Sequence, residues 1–194
     1  EYFELPVRED VPMIGMVTRL VGHKGLDLVK CVFEELLKAD VQFAILGSGE
    51  WEFEDFFKYM AYKYPDKVGL MLGFKPTLAH RIYAGADLFL MPSLSEPCGL
   101  AQMVALRYGT IPIVRRTGGL NDTIKDSHDG AGNGFTFKNY NAHDMLYVIN
   151  YAKHVFYDNK RQWNQMVDRG ITKDFSWNAS KFRYEGLYRH LLGE

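Results

Sequence analysis

Short apolar runs alternate with amphipathic stretches along this chain. Residues 11–17, 41–46, 68–72, 87–91, 111–114 and 134–137 are mostly apolar at successive positions and too short for helices. That is the pattern of strands buried on both faces. Between the first two, Leu26, Val29, Val32, Phe33, Leu36 and Leu37 recur at helical spacing. The next helix is predicted to carry Trp51, Phe53, Phe56, Phe57 and Met60, with shorter helices at 78–85, 101–108 and just after Thr117. Beyond Asn141 the spacing is helical throughout, over 145–156, 160–170 and a last stretch after Trp177. Such alternation requires a parallel sheet covered by helices on each side. The expected fold is α/β, a doubly wound, mainly parallel six-stranded sheet with a helical C-terminal tail.

Composition narrows the partners. With 194 residues, 47% hydrophobic and 24% charged, the chain is long enough for one well-buried core. A net charge of −1 supplies no basic field for nucleic acid or an anionic membrane, so any anion site must be local. Cys31 and Cys98 make no disulfide framework, and no Cys or His spacing matches a zinc site, so neither metal nor cofactor is expected. A reducing cytosol is the simplest compartment. No signal-peptide core or transmembrane-length run is present. Residues 1–10 lack an initiator Met and read as a charged, Pro-containing inter-domain linker, as if the domain at 11–170 were excised from a longer protein. Residues 171–194 read as a separate closing segment and helix.

Candidate chemistry collects at predicted strand ends. Pro92-Ser93-Leu94-Ser95-Glu96-Pro97-Cys98-Gly99-Leu100 lies between a strand and a helix. Backbone N–H groups there are available to an anion. A carboxylate suits hydroxyl groups instead, so Glu96 either points to a ligand with both phosphate and sugar or serves as an acidic charge at the helix start. Arg19 and Lys24 flank the first βα turn as a phosphate clamp, or stand as ordinary surface cations. Gly47-Ser48-Gly49 lacks the third glycine of a dinucleotide fingerprint and reads as a tight turn or a close approach to ligand. Phe74 at a strand terminus is either a core plug or a ring for stacking on a flat ligand. Cys98, without a basic partner, reads as a small packing residue. Thr117-Gly118-Gly119-Leu120, beside Arg115 and Arg116, is either an ordinary turn or a second anion nest.

In combination these motifs closely resemble the bacterial glycogen synthase and plant starch synthase family. The resemblance rests on Thr18-Arg19-Leu20 with Lys24-Gly25-Leu26-Asp27-Leu28, on Glu96 to Leu100, on Arg116 to Leu120, and on Asp174-Phe175-Ser176-Trp177. It implies the Rossmann-like C-terminal half of a retaining GT-B glycosyltransferase. Such an enzyme moves glucose from ADP-glucose to the non-reducing end of an α-1,4-glucan without a metal. The N-terminal domain is then the missing partner, and the location is bacterial cytoplasm or plastid. By this likeness Arg19, Lys24 and Glu96 would be catalytic. The donor would contact Phe74, Cys98, Gly99, Leu100, Thr117, Gly118 and Gly119. Phe74 stands where the family usually has Tyr, Ala101 where Thr is common, and Val104 where many retaining GT-B enzymes have a second Glu. A UDP-sugar enzyme of the same fold, a non-catalytic nucleotide or glucan sensor, and an NAD oxidoreductase are the competing readings. The final helix either exposes Phe182, Tyr184, Leu187 and Leu191 towards the missing domain or packs them on the sheet's own helices.

Overall fold

A computed structural model of the chain describes residues 2–193. Glu1 and Glu194, the outer ends of the expected linker and closing segment, lie outside the described residues. The strands are β1 (Met13–Val17), β2 (Gln42–Gly47), β3 (Val68–Leu72), β4 (Leu88–Met91), β5 (Ile111–Arg115) and β6 (Phe135–Phe137). They form one sheet in the order β3-β2-β1-β4-β5-β6, and every pairing is parallel. The helices are α1 (Leu26–Leu36), α2 (Trp51–Lys63), α3 (Pro76–Gly85), α4 (Ala101–Arg107), α5 (Gly118–Thr123), α6 (Ala142–Asp158), α7 (Lys160–Thr172) and α8 (Trp177–Leu192).

Side-chain alternation along the strands sets the two layers. Ile14, Met16, Phe43, Ile45, Leu88, Leu90, Ile111 and Ile113 point into a large core shared with α1, α2, α6 and α7. Ala44, Leu46, Phe89 and Val114 face the other way, towards α3, α4 and α5. Phe33 of α1 anchors the larger layer, with ring centroids 4.7 Å from Phe43 and 5.7 Å from Phe57. Burying each such ring contributes about 1.5–3 kcal/mol. Trp51 departs from the predicted apolar set of α2. It sits at the helix's first position, 77% exposed. Asn141 starts α6 by accepting hydrogen bonds from the N–H groups of His143 and Asp144, at 2.9 and 3.1 Å.

Sheet order reverses between β1 and β4, so loops leaving these neighbouring strands diverge to opposite faces and open a crevice at their carboxyl ends. The crevice is narrow because the two loops touch. Gly25, at φ 76°, lies so close to the other loop that a Cβ there would fall 2.2 Å from the Pro92 carbonyl oxygen. The Leu94 N–H donates to the His23 carbonyl across the same gap at 2.9 Å. Residues 2–12 run over the opposite end of the sheet. There Phe3 presses on Gly69, and Gln42 Nε2 donates to the Pro6 carbonyl at 3.0 Å.

Gly25→Ala should therefore destabilise the chain by about 1–3 kcal/mol, through steric overlap and a positive φ. Gly22→Ala, whose Cβ would meet nothing within 4 Å, should be near neutral. Urea midpoints measure both, and an unchanged midpoint for Gly25→Ala would contradict the close approach.

Candidate functional site

Lys24 and Glu96, separated by 72 positions in the chain, meet across the crevice. Lys24 Nζ stands 2.6 Å from Glu96 Oε2, and the two side chains keep only 17% and 12% of their exposure. Lys24 arrives on a 3-10 turn, Gly22–Lys24, that Gly25 closes in left-handed geometry. Glu96 arrives on the loop after β4. Arg19 follows β1 on the same rim, exposed, with Nη2 3.4 Å from His23 Nε2. Of the three residues expected to be catalytic, the structure brings Lys24 and Glu96 into contact and sets Arg19 beside His23 on the same rim. It pairs Lys24 with Glu96 rather than leaving both cations free.

Phe74 settles one alternative and Cys98 corrects another. Phe74 is 91% exposed and plugs no core. It rims a cleft of about 300 Å³ with Thr18, Arg19, Gly47, Ser48 and Lys75 at the carboxyl ends of β1 to β3. Cys98 is exposed too, so the packing reading fails; the tight Glu96 loop turns the thiol outward. The Gly47-Ser48-Gly49 turn lies against its own chain, the Leu20 N–H donating to the Ser48 carbonyl at 2.9 Å. Gly99 and Leu100 lead into α4, and among the described residues neither N–H has a protein acceptor.

The expected second anion nest is only partly available. The Gly119 N–H is taken by the Glu96 and Pro97 carbonyls, at 3.1 and 3.2 Å. A Cβ on Gly118 would lie 2.2 Å from the Glu96 oxygen, and one on Gly119 2.0 Å from the Cys98 oxygen. These glycines let α5 press against the Glu96 loop, while Thr117 caps α5 with no side-chain hydrogen bond. Neither neighbouring arginine is free. Arg116 donates to Thr136 Oγ1 at 2.7 Å and to Asp126 Oδ2 at 2.9 Å.

Arg115, noted in the sequence only as a neighbour of the expected anion nest, has a different role. Its guanidinium donates to the Ser93 carbonyl at 2.9 Å and to the Leu94 carbonyl, holding the root of the Glu96 loop. It also lies over the Tyr140 ring at 5.6 Å, and Tyr140 donates its hydroxyl to Asp27 on α1 at 2.5 Å. Burial, then the Asp27 bond and charge, push the Tyr140 phenol up. Gln102 adds a second support. Fully buried, its Nε2 reaches the carbonyls of Cys98 and Gly99 at 3.2 and 2.9 Å. Nothing in the local sequence distinguishes these supports from surface or helix residues, because their acceptors are main-chain carbonyls, about twenty positions away for Arg115 and one helical turn away for Gln102.

A roomier cleft of about 510 Å³ lies beneath residues 2–11, beside α3 and the starts of β1 and β2. It is the wrong end of the sheet for loop-borne chemistry, and its wall is chiefly Phe3, Leu5, Val11, Leu78 and Ile82. Among the described residues no three His, Cys, Asp or Glu side chains converge as a metal set, and no helix is long and apolar enough to cross a membrane.

A family model described as glycosyl transferases group 1 matches residues 1–163. Glycogen synthase of Bacillus cereus (strain B4264) is 58% identical over 193 residues, which is 98% of this chain and 40% of that protein. Glycogen synthase of Anoxybacillus flavithermus (strain DSM 21510 / WK1) is 55% identical over 194 residues, 99% of this chain and again 40% of the relative. The chain therefore spans about two fifths of these relatives' length. The catalytic domain of starch synthase IV from Arabidopsis thaliana, bound to ADP and acarbose, superposes with a TM-score of 0.87 at 36% identity, over 99% of this chain and 41% of that one.

The Arg116–Asp126 link gives a pH test of the loop beside the site. Burial acts to raise the Asp126 carboxyl, but hydrogen bonds from Thr136, Arg116 and His128 outweigh it and hold it below the ordinary aspartate range. A carboxyl lowered by folding stabilises the fold above its unfolded value, and that contribution disappears as pH falls through the folded value. Wild type should exceed Asp126→Asn in urea stability at neutral pH, with the gap closing below about pH 4. A gap that does not change with pH would contradict this.

Proposed function

The chain belongs to the glycosyl transferases group 1 family, and on that premise we propose that it is the donor-binding half of a glycogen or starch synthase. The reaction is transfer of glucose from ADP-glucose to the non-reducing end of an α-1,4-glucan, with retention. The observation that carries this reading is the Lys24–Glu96 pair at 2.6 Å, beside Arg19 and at the point of the sheet where nucleotide ligands sit. Identity of 55–58% with glycogen synthases supports the glucan product. The ADP held by the starch synthase IV structure supports adenine as the base.

In this reading Arg19 and Lys24 bind the diphosphate. Charge accumulates there as the glycosidic bond breaks, and fixed cations stabilise it without reorganisation. Glu96 gives Oε2 to Lys24 and has Oε1 left for the glucose hydroxyls. The N–H groups of Gly99 and Leu100 meet the distal phosphate, Cys98, Thr117 and Gly118 line the donor, and Gly119 acts by holding the loop. Phe74 stacks on the adenine at the rim of the 300 Å³ cleft. Glu96, engaged by Lys24 and hydroxyls, is not the nucleophile in this reading. The acceptor hydroxyl therefore attacks on the face that the diphosphate leaves, passing its proton to a phosphate oxygen.

The acceptor comes from elsewhere. The relatives' remaining length supports a second domain that presents the glucan, and bacterial glycogen synthases support a cytoplasmic setting. Helix α8 fits this division. It buries none of its described residues, and Phe182, Leu187 and Leu191 are 66%, 51% and 72% exposed. They do not pack on the sheet's own helices, and a second domain would cover them.

The 194-residue chain should bind ADP-glucose weakly, prefer ADP to UDP in competition, and elongate no glucan. Glucosyl transfer to glycogen by this piece alone would overturn that division of labour. In the full-length protein, Arg19→Ala or Lys24→Ala should lower turnover by roughly 100- to 1,000-fold, as for loss of one charge-stabilising donor. Unchanged turnover in both would remove them from the mechanism.

A further inference from the structure

Between the two cations of the β1–α1 turn stands His23, which the donor-site reading leaves unused. Arg19 Nη2 lies 3.4 Å from its Nε2. A guanidinium can only donate, so Nε2 is the acceptor, and the proton of the neutral ring belongs on Nδ1. The Leu94 N–H donates to the His23 carbonyl at 2.9 Å and ties the residue to the Glu96 loop, while the imidazole itself is exposed.

The charged groups around it are few. Arg19 stands at the end of β1 and Lys24 is next along the turn. Across the crevice, Glu96 is already matched to Lys24 at 2.6 Å. Behind the turn, Asp27 on α1 is held by Tyr140, and Arg115 is spent on the Ser93 and Leu94 carbonyls. Among the described residues no carboxylate lies within ion-pair reach of His23. Arg19, Lys24 and Glu96 together carry a single positive charge, whereas the diphosphate of a nucleotide sugar is a dianion. One more positive group makes the match, and imidazole changes charge in the physiological range.

We propose that His23 is a third phosphate-binding side chain of the donor site and takes up a proton as the nucleotide sugar binds. This rests on the donor-site reading above. The proton comes from the buffer and adds to Nε2, which turns that atom from acceptor to donor and breaks its bond from Arg19. The new Nε2–H and the released Arg19 N–H both turn to phosphate oxygens, and no covalent bond of the donor changes. In the ligand-free chain His23 holds the Arg19 side chain; in the complex both grip the anion.

Titration calorimetry with ADP-glucose tests this, because both its phosphates are esterified and keep their charge across the range. From about pH 8.5 to about pH 6, affinity should rise roughly tenfold, the strength of one charge-assisted hydrogen bond. The binding heat should also vary with the ionisation heat of the buffer, reporting proton uptake. His23→Gln keeps an acceptor for Arg19 and a donor for phosphate but does not titrate, so both signals should vanish in it while binding persists. Affinity and heat independent of pH and buffer in the wild type, or the same dependence in His23→Gln, would overturn the proposal. No binding of ADP-glucose at any pH would overturn the donor-site reading, and this inference with it.

Discussion

One ion pair organises the carboxyl edge of this sheet. Lys24 and Glu96 belong to loops that leave neighbouring strands towards opposite faces, and their contact at 2.6 Å joins the two halves of the fold. Both groups are largely withdrawn from water. Desolvation offsets much of the Coulomb gain for such a pair, whereas losing one partner leaves an uncompensated charge at a cost of several kcal/mol. The pair is therefore a weak source of stability and a strong constraint on where a carboxylate and an ammonium stand. That constraint matters for chemistry that needs a cation beside phosphate and a carboxylate beside sugar.

The surrounding structure keeps those two groups in register. Gly25 lets the Lys24 turn touch Pro92, and Gly118 and Gly119 let α5 touch the Glu96 loop. Arg115 holds the loop's root by its carbonyls, and Gln102 holds its far end. Tyr140, under the Arg115 guanidinium and bonded to Asp27, links the start of α6 to the start of α1. Apart from Tyr140, each support is a backbone approach or a hydrogen bond to a main-chain carbonyl. The pair thus rests on a frame built largely from the main chain.

Much of this was legible in the sequence for a physical reason. Parallel strands buried on both faces leave continuous apolar runs, so all six strands and the helices between them were visible. Glu96 stood out because a carboxylate before a Pro and a helix-opening Gly serves no packing purpose. The supports did not stand out. Arg115 looks like any strand-terminal cation, and its acceptors are the Ser93 and Leu94 carbonyls, which carry no sequence signature. Gly118 and Gly119 looked like an anion nest, since a glycine pair at a helix start has the same letters whether it faces a phosphate or a neighbouring loop. Trp51 and Phe74 show the same limit, because an aromatic at an element's end gives no sign of whether it turns inwards or out.

The crevice with its charge pair adjoins an exposed aromatic rim at Phe74, and helix α8 stands uncovered. In the proposed function the crevice between β1 and β4 receives the nucleotide sugar. A crystal structure of the chain soaked with ADP-glucose tests this most directly. The diphosphate should lie between Arg19 and Lys24, with the glucose hydroxyls on Glu96 and the adenine against Phe74. Ligand density in the cleft beneath residues 2–11, with the Lys24–Glu96 crevice empty, would contradict it.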